Sequence, residues 1–186
     1  IVAVVDEGVN YTHPDLAANM WVNQAEANGV EGVDDDKNGY VDDTYGLNAV
    51  KLNGNISWDK PAWSDGEYVG DSGHGTHVAG TIAAVNNNGI GVCGVAGGDG
   101  SGNNGVRIMS IQIFDGGDRG DLNTNAKGIE YAADNGACIL QNSWGYNGEI
   151  TSDGFYSSNY GVEMAALKYF QSKSNCAAMT GNVIIF

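Results

Sequence analysis

Three features of the 186-residue sequence predict an α/β fold, with a parallel β-sheet covered by helices on both faces in a three-layer arrangement. The chain opens on the β-branched run Ile1-Val2-Ala3-Val4-Val5, which lacks the polar alternation of a half-exposed strand and suits one buried on both faces. From His74 onward, segments carry apolar residues at helical spacing. Further short apolar runs stand between them, and strands that alternate with helices form a parallel sheet through right-handed crossovers.

The first strand ends at Asp6. The polar stretch from about Asn23 to Ser72, rich in Asn, Asp and Gly, is expected to be mostly loop with one short strand. Val78, Ile82 and Val85 face one side of a helix near 74 to 86, with Gly89 available to end it. Val106, Ile108, Ile111, Ile113 and Phe114 mark a second core strand. Leu122, Ala126, Ile129 and Ala133 mark a helix that Gly136 can stop. Ala137 to Gln141 is expected to be extended. Val162, Ala165, Ala166, Tyr169 and Phe170 form one face of a last helix, and Val183 to Phe186 a last strand. One domain is expected at this length, with no separate second domain. The apolar runs at Ile1 and at Val183 to Phe186 suggest that both ends are cut from a longer chain.

The 23 Asp and Glu residues against 8 Lys and Arg exclude nucleic acid and anionic membrane surfaces as partners, because both repel an acidic chain. No apolar run approaches the roughly 20 residues that span a bilayer, so no membrane insertion is expected. Cys93, Cys138 and Cys176 lack CxxC spacing and are odd in number, which argues against a structural zinc site and a full disulfide framework.

The most informative segment is His74-Gly75-Thr76-His77-Val78-Ala79-Gly80-Thr81. A histidine opening a helix beside glycine can face a cleft while other backbone approaches closely. Imidazole titrates near neutrality and can act as a general base if a carboxylate fixes its tautomer. Asp6 stands at a strand's carboxyl end, where ligands bind in such sheets, and is the candidate carboxylate; Asn142 stands at another such end. His74 and His77 do not form an HExxH metal motif, because position 75 is Gly.

Asp6-Glu7-Gly8-Val9, His13-Pro14-Asp15-Leu16 and Gly73-His74-Gly75-Thr76-His77-Val78-Ala79-Gly80-Thr81 together resemble the subtilase family of serine endopeptidases, as do Gln141-Asn142-Ser143-Trp144-Gly145. The resemblance covers essentially the whole chain and implies a subtilisin-like three-layer fold. It makes Asp6 and His74 two members of an Asp-His-Ser triad. It also implies a polypeptide substrate, paired as an added strand between the segment holding Gly117 and Asp118 and the segment Ser143, Trp144 and Gly145. A propeptide of its own is a further implied partner, and secretion or cell-surface display the implied location. The family's Gly-Thr-Ser-x-Ala nucleophile motif is absent between Asn142 and Phe186, so these 186 residues alone are expected to be inactive. The oxyanion Asn is expected after Phe186 rather than at Asn182.

Asp34-Asp35-Asp36-Lys37-Asn38-Gly39-Tyr40-Val41-Asp42-Asp43 resembles the first part of a Ca2+ loop. Asp34, Asp36 and Asn38 alternate as oxygen donors, the Tyr40 carbonyl can follow, and Asp42 falls where a water-mediated ligand is common. An EF-hand would carry Glu where Tyr45 stands, so the bidentate ligand is either absent or supplied from elsewhere, with Asp43 as one candidate. The family resemblance implies a second Ca2+ site using Asp15 and Asn87. A noncatalytic calcium-binding protein on the same scaffold is the alternative to a peptidase.

Overall fold

A computed structural model describes residues 1–59, 63–64, 67–68, 73–101, 104–116, 118–146, 152 and 158–186. In chain order the elements are β1 (Val2–Asp6), a 3-10 turn (Ala17–Asn19), α1 (Gln24–Ala27), β2 (Gly46–Asn48), β3 (Trp63–Ser64), β4 (Glu67–Tyr68), α2 (His74–Ala83), β5 (Ile108–Gln112), β6 (Phe114–Asp115), β7 (Asp118–Arg119), α3 (Leu122–Asp134), β8 (Ile139–Asn142), α4 (Gly161–Ser172) and β9 (Val183–Ile185). Five of the strands form one parallel sheet in the order β2-β5-β1-β8-β9.

Strand β1 is central, and both of its faces are covered. Side chains alternate across a strand, so even and odd positions of β1 meet different layers. Val2 and Val4, with Ile108 of β5, pack against Ala79 and Ala83 of α2. Ala3 and Val5, with Met109, Ile111 and Leu140, pack against Ile129 and Ala132 of α3 and against Ala166 and Phe170 of α4. This two-sided burial is why the run reads as uniformly apolar. Helix α3 starts where the Asp121 side chain accepts from the Thr124 N–H at 2.9 Å. It ends before Gly136, whose φ of +84° reverses the chain into β8.

Helix α2 is shorter than its sequence pattern predicts. It stops at Ala83, and Ala84 turns to extended geometry with ψ 137°. The cause is tertiary: the Val85 N–H donates to the Asp15 carbonyl at 2.8 Å and the Gly94 N–H to the Ala84 carbonyl at 3.0 Å. These bonds take the backbone groups that another helical turn would use. The second core strand is also shorter than expected, with Phe114–Asp115 leaving the sheet to pair with Asp118–Arg119 as a two-residue hairpin. The polar stretch holds not one short strand but three, β2 and the paired two-residue strands β3 and β4, and also α1; β3, β4 and α1 are too short to show a periodic pattern.

Ile129 is fully buried between α3 and the sheet. Ile129→Ala should lower stability by about 2–5 kcal/mol, seen as a lower urea midpoint with an unchanged m-value. An unchanged midpoint would mean that α3 does not seal this face.

Candidate active site

Asp6 is the last residue of β1 and has the same parity as Val2 and Val4, so its side chain points to the layer that α2 occupies. His74 is the first residue of α2. The Asp6 carboxylate oxygens lie 2.8 and 2.9 Å from His74 Nδ1. Asp6 is only 2% exposed, whereas the His74 side chain is 46% exposed. An ionised carboxylate only accepts hydrogen bonds, so Nδ1 carries the proton and Nε2 of the neutral ring becomes the basic position. The Glu7 N–H donates a further hydrogen bond to Asp6 Oδ1 at 2.8 Å.

The pair depends on close backbone approach. A Cβ on Gly75 would collide with the Gly8 carbonyl oxygen and stand 3.2 Å from the Asp6 Cβ. Only glycine lets the first turn of α2 sit against the end of β1 in this way. The Asn10 N–H donates to Thr76 Oγ1 at 2.9 Å and ties the same turn to the following loop. On the other side, Gln112 pairs with Asp6 in register, and its side-chain amide donates to Ser57 Oγ and to the Phe114 carbonyl, both at 3.0 Å.

Of the sequence-predicted substrate segments, Gly117 lies outside the described residues. Asp118 belongs to β7, whose pairing with β6 occupies one of its two edges. Asn142 stands opposite Val5, so Ser143, Trp144 and Gly145 leave the sheet beside Asp6. Ser143 is exposed and its Oγ accepts from Gln141 Nε2 at 3.0 Å. Trp144 packs edge-on against Tyr146 and Phe186, with ring centroids 5.9 and 5.6 Å away.

The acidic loop rearranges the residues named from sequence. Carboxylate oxygens of Glu26, Asp36 and Asp43 lie within 4.8 Å of one another. The Asn23 amide donates to Asp36 at 2.8 Å and to Asp43 at 3.1 Å, and the Asn38 amide to the same two residues at 3.1 and 2.9 Å. Asp34 instead accepts from the N–H groups of Asn38 and Gly39, Asp42 accepts from the Gly32 N–H, and the Tyr40 N–H donates to Asn38 Oδ1. Burial raises the Asp43 carboxyl above the usual carboxylate range. Burial first, and then the 2.5 Å bond to Asp43, raise the Tyr131 hydroxyl well above its ordinary value and keep it a donor. Sequence reasoning missed Glu26 and Asn23. Their signal was the Asn-x-x-Glu helix start just before the acidic run.

At the second proposed cation position, Asp15 is buried and accepts from Asn88 Nδ2 at 2.6 Å and from the Val92 N–H at 2.8 Å. Asn87 does not meet it; its amide donates to the Asp99 carbonyl at 2.7 Å. Asn182, buried, donates to the Ala137 carbonyl at 2.9 Å.

Fold and site together define an α/β protein with a carboxylate–imidazole pair at the carboxyl edge of a parallel sheet. The family model described as "Subtilase family" matches residues 1–185, and the chain belongs to that family. Subtilisin-like protease 1 of Plasmodium vivax is 36% identical over 181 residues, covering 95% of this chain and 25% of the relative. The crystal structure of fervidolysin from Fervidobacterium pennivorans, described as a keratinolytic enzyme related to subtilisin, aligns with a TM-score of 0.52 and 29% identity over 90% of this chain and 19% of that one. The nisin leader peptidase NisP from Lactococcus lactis aligns with a TM-score of 0.54 over 98% of this chain and 41% of its own; at 20% identity it shows the fold alone. The chain thus spans about a quarter of the length of the curated relatives it matches first, 25%, 26% and 22% of theirs.

Gly75→Ala should push α2 away from Gly8 and break the Asp6–His74 hydrogen bond. The strongly downfield proton resonance of a carboxylate-bound imidazole Nδ1–H should disappear from the NMR spectrum of the variant. An unchanged resonance would show that the close approach is not needed.

Proposed function

We propose that the protein is a serine endopeptidase in which Asp6 orients His74 and His74 acts as general base. The observation that carries this reading is the carboxylate–imidazole geometry at 2.8 and 2.9 Å, set at the carboxyl edge of the sheet. In this mechanism Nε2 of His74 takes the proton of a serine hydroxyl as that hydroxyl attacks the scissile carbonyl. It then delivers the proton to the departing amine, while Asp6 stabilises the transient imidazolium. The serine comes from a Gly-Thr-Ser segment outside the 186 residues, since no such motif occurs within them. Polypeptide substrates pair with the segments around Gly117 and Asp118 and around Ser143, Trp144 and Gly145, where backbone hydrogen bonds give affinity with little sequence preference. The family resemblance supports secretion or cell-surface display, with a propeptide as a further partner.

We extend the reading to a structural Ca2+ held by Glu26, Asp36 and Asp43. Three carboxylates so close repel one another, and a hard dication answers that repulsion with oxygen ligands. Asn23 and Asn38, rotated to present their carbonyl oxygens, would complete the shell. Asp34, Asp42 and the Tyr40 N–H then support the loop, and Asp15 with Asn88 forms a lesser candidate.

In the full-length protein, a serine-directed phosphonate should label the downstream serine, and Asp6→Asn should lower kcat by about 10⁴-fold through loss of the correct tautomer. A full-length chain that takes up no label and cleaves no peptide would favour the noncatalytic calcium-binding scaffold. Labelling of Ser143 would move the nucleophile into this chain.

Millimolar Ca2+ should raise the melting temperature, because an ion bound only by the native state stabilises it by about 2.7 kcal/mol at a concentration about 100 times Kd. Glu26→Gln should reduce the increment. An equal increment in Asp15→Asn and its loss in Glu26→Gln would locate the ion at the acidic loop; no increment in the unmodified protein would sink the site.

A further inference from the structure

The peptidase reading gives no role to Cys138 and Cys176. Cys138 directly precedes β8, and Cys176 lies in the connection between α4 and β9. These segments are 38 positions apart in sequence and are clamped together by hydrogen bonds on either side of the two cysteines. The Asn175 amide donates to the Ala133 and Ala137 carbonyls at 2.8 and 3.0 Å. The Asn175 N–H donates to Asn182 Oδ1 at 3.2 Å, and Asn182 Nδ2 returns to the Ala137 carbonyl at 2.9 Å. The Val183 N–H donates to the Cys138 carbonyl itself at 2.9 Å. Within this clamp Cys138 Sγ donates weakly to the Gly136 carbonyl at 3.9 Å and has the Cys176 thiol as a neighbour; both thiols are free and half-buried. The third cysteine, Cys93, is exposed in the loop after α2, whose helix packs on the opposite face of the sheet.

We propose that Cys138 and Cys176 form a redox-responsive dithiol that closes into an intramolecular disulfide by exchange with a small-molecule disulfide of the glutathione class. The Cys176 thiolate attacks one sulfur of the small disulfide and releases the first small thiolate. Cys138, once deprotonated, attacks Sγ of Cys176 in the mixed disulfide and expels the second. The two protons lost by the protein thiols end on the two released small thiols. Two electrons pass from the protein dithiol to the small disulfide. The clamp holds the two cysteine-bearing segments together beforehand, so closure to the ~2.05 Å bond joins side chains that are already neighbours. The bond would tether the α4–β9 connection to the foot of β8, the strand whose other end delivers Ser143, Trp144 and Gly145. It would stay open in a reducing compartment and close in an oxidising one.

The test uses the full-length protein carrying Cys93→Ser, equilibrated natively with oxidised and reduced glutathione in graded ratios. Thiols are then alkylated, and the Cys138 and Cys176 peptides are mapped by mass spectrometry. Both thiols should be lost together, without retained glutathione, and should return with dithiothreitol. The melting temperature should rise by roughly 5 °C or more on closure. In Cys176→Ser the Cys138 thiol should not form an intramolecular bond, and the rise should vanish. Independent alkylation of the two thiols at every ratio, glutathione retained stably on either, or a crosslink only between two molecules would each overturn the proposal. The mapping on the Cys93→Ser protein decides the matter even if Cys176→Ser fails to fold.

Discussion

Contact between the end of β1 and the first turn of α2 is the constraint on which the candidate site depends. The sheet brings Asp6 to its carboxyl edge, and the glycine at position 75 lets the helix bring His74 to meet it. Neither residue is exceptional alone. What makes the pair chemically capable is asymmetry of environment: Asp6 is buried and held by Nδ1 of the imidazole and the Glu7 N–H, while the imidazole reaches solvent. The buried partner sets the tautomer, and the exposed edge of the ring is left to exchange protons with another molecule.

The acidic loop obeys a different logic. Its carboxylates are held by backbone N–H groups, by two asparagine amides and by the Tyr131 hydroxyl, donors that answer negative charge without a positive side chain. Glu26 alone accepts from the N–H groups of Asp35, Asp36 and Asp42, so a residue of α1 organises the loop that follows it. This arrangement ties the loop to the layer of α3, since Asp43 is bonded to Tyr131, which lies in the core on that face of the sheet. The acidic cluster and the core are therefore mechanically joined.

Much of this was legible in the sequence because it was local. The uniform apolar runs announced β1 and β5 as strands buried on both faces, whereas the run at β9 forms an edge strand with Val183 and Ile185 exposed; helical spacing announced α2, α3 and α4 to within a few residues. Asp6 and His74 were legible through the motifs around them, which specify a strand end and a helix start independently. The misses have two kinds of cause: α1 and the β6–β7 hairpin are too short to carry a pattern, and the end of α2 is set from outside the helix. Helix α2 ended early because Asp15 and Gly94 compete for its last backbone groups, and neither partner lies in the helix.

Local pattern by itself therefore determined the layers, the order of the main elements and the residue types offered for chemistry. Tertiary structure decided which side chains meet. It chose Asn88 rather than Asn87 for Asp15 across 73 positions, added Glu26 and Asn23 to the acidic cluster, and clamped the segment holding Cys176 beside the one holding Cys138. Periodicity reports which face a side chain occupies, because it reflects backbone geometry within one element. It carries no information on which remote group lies across from that face, since that depends on how separate elements pack.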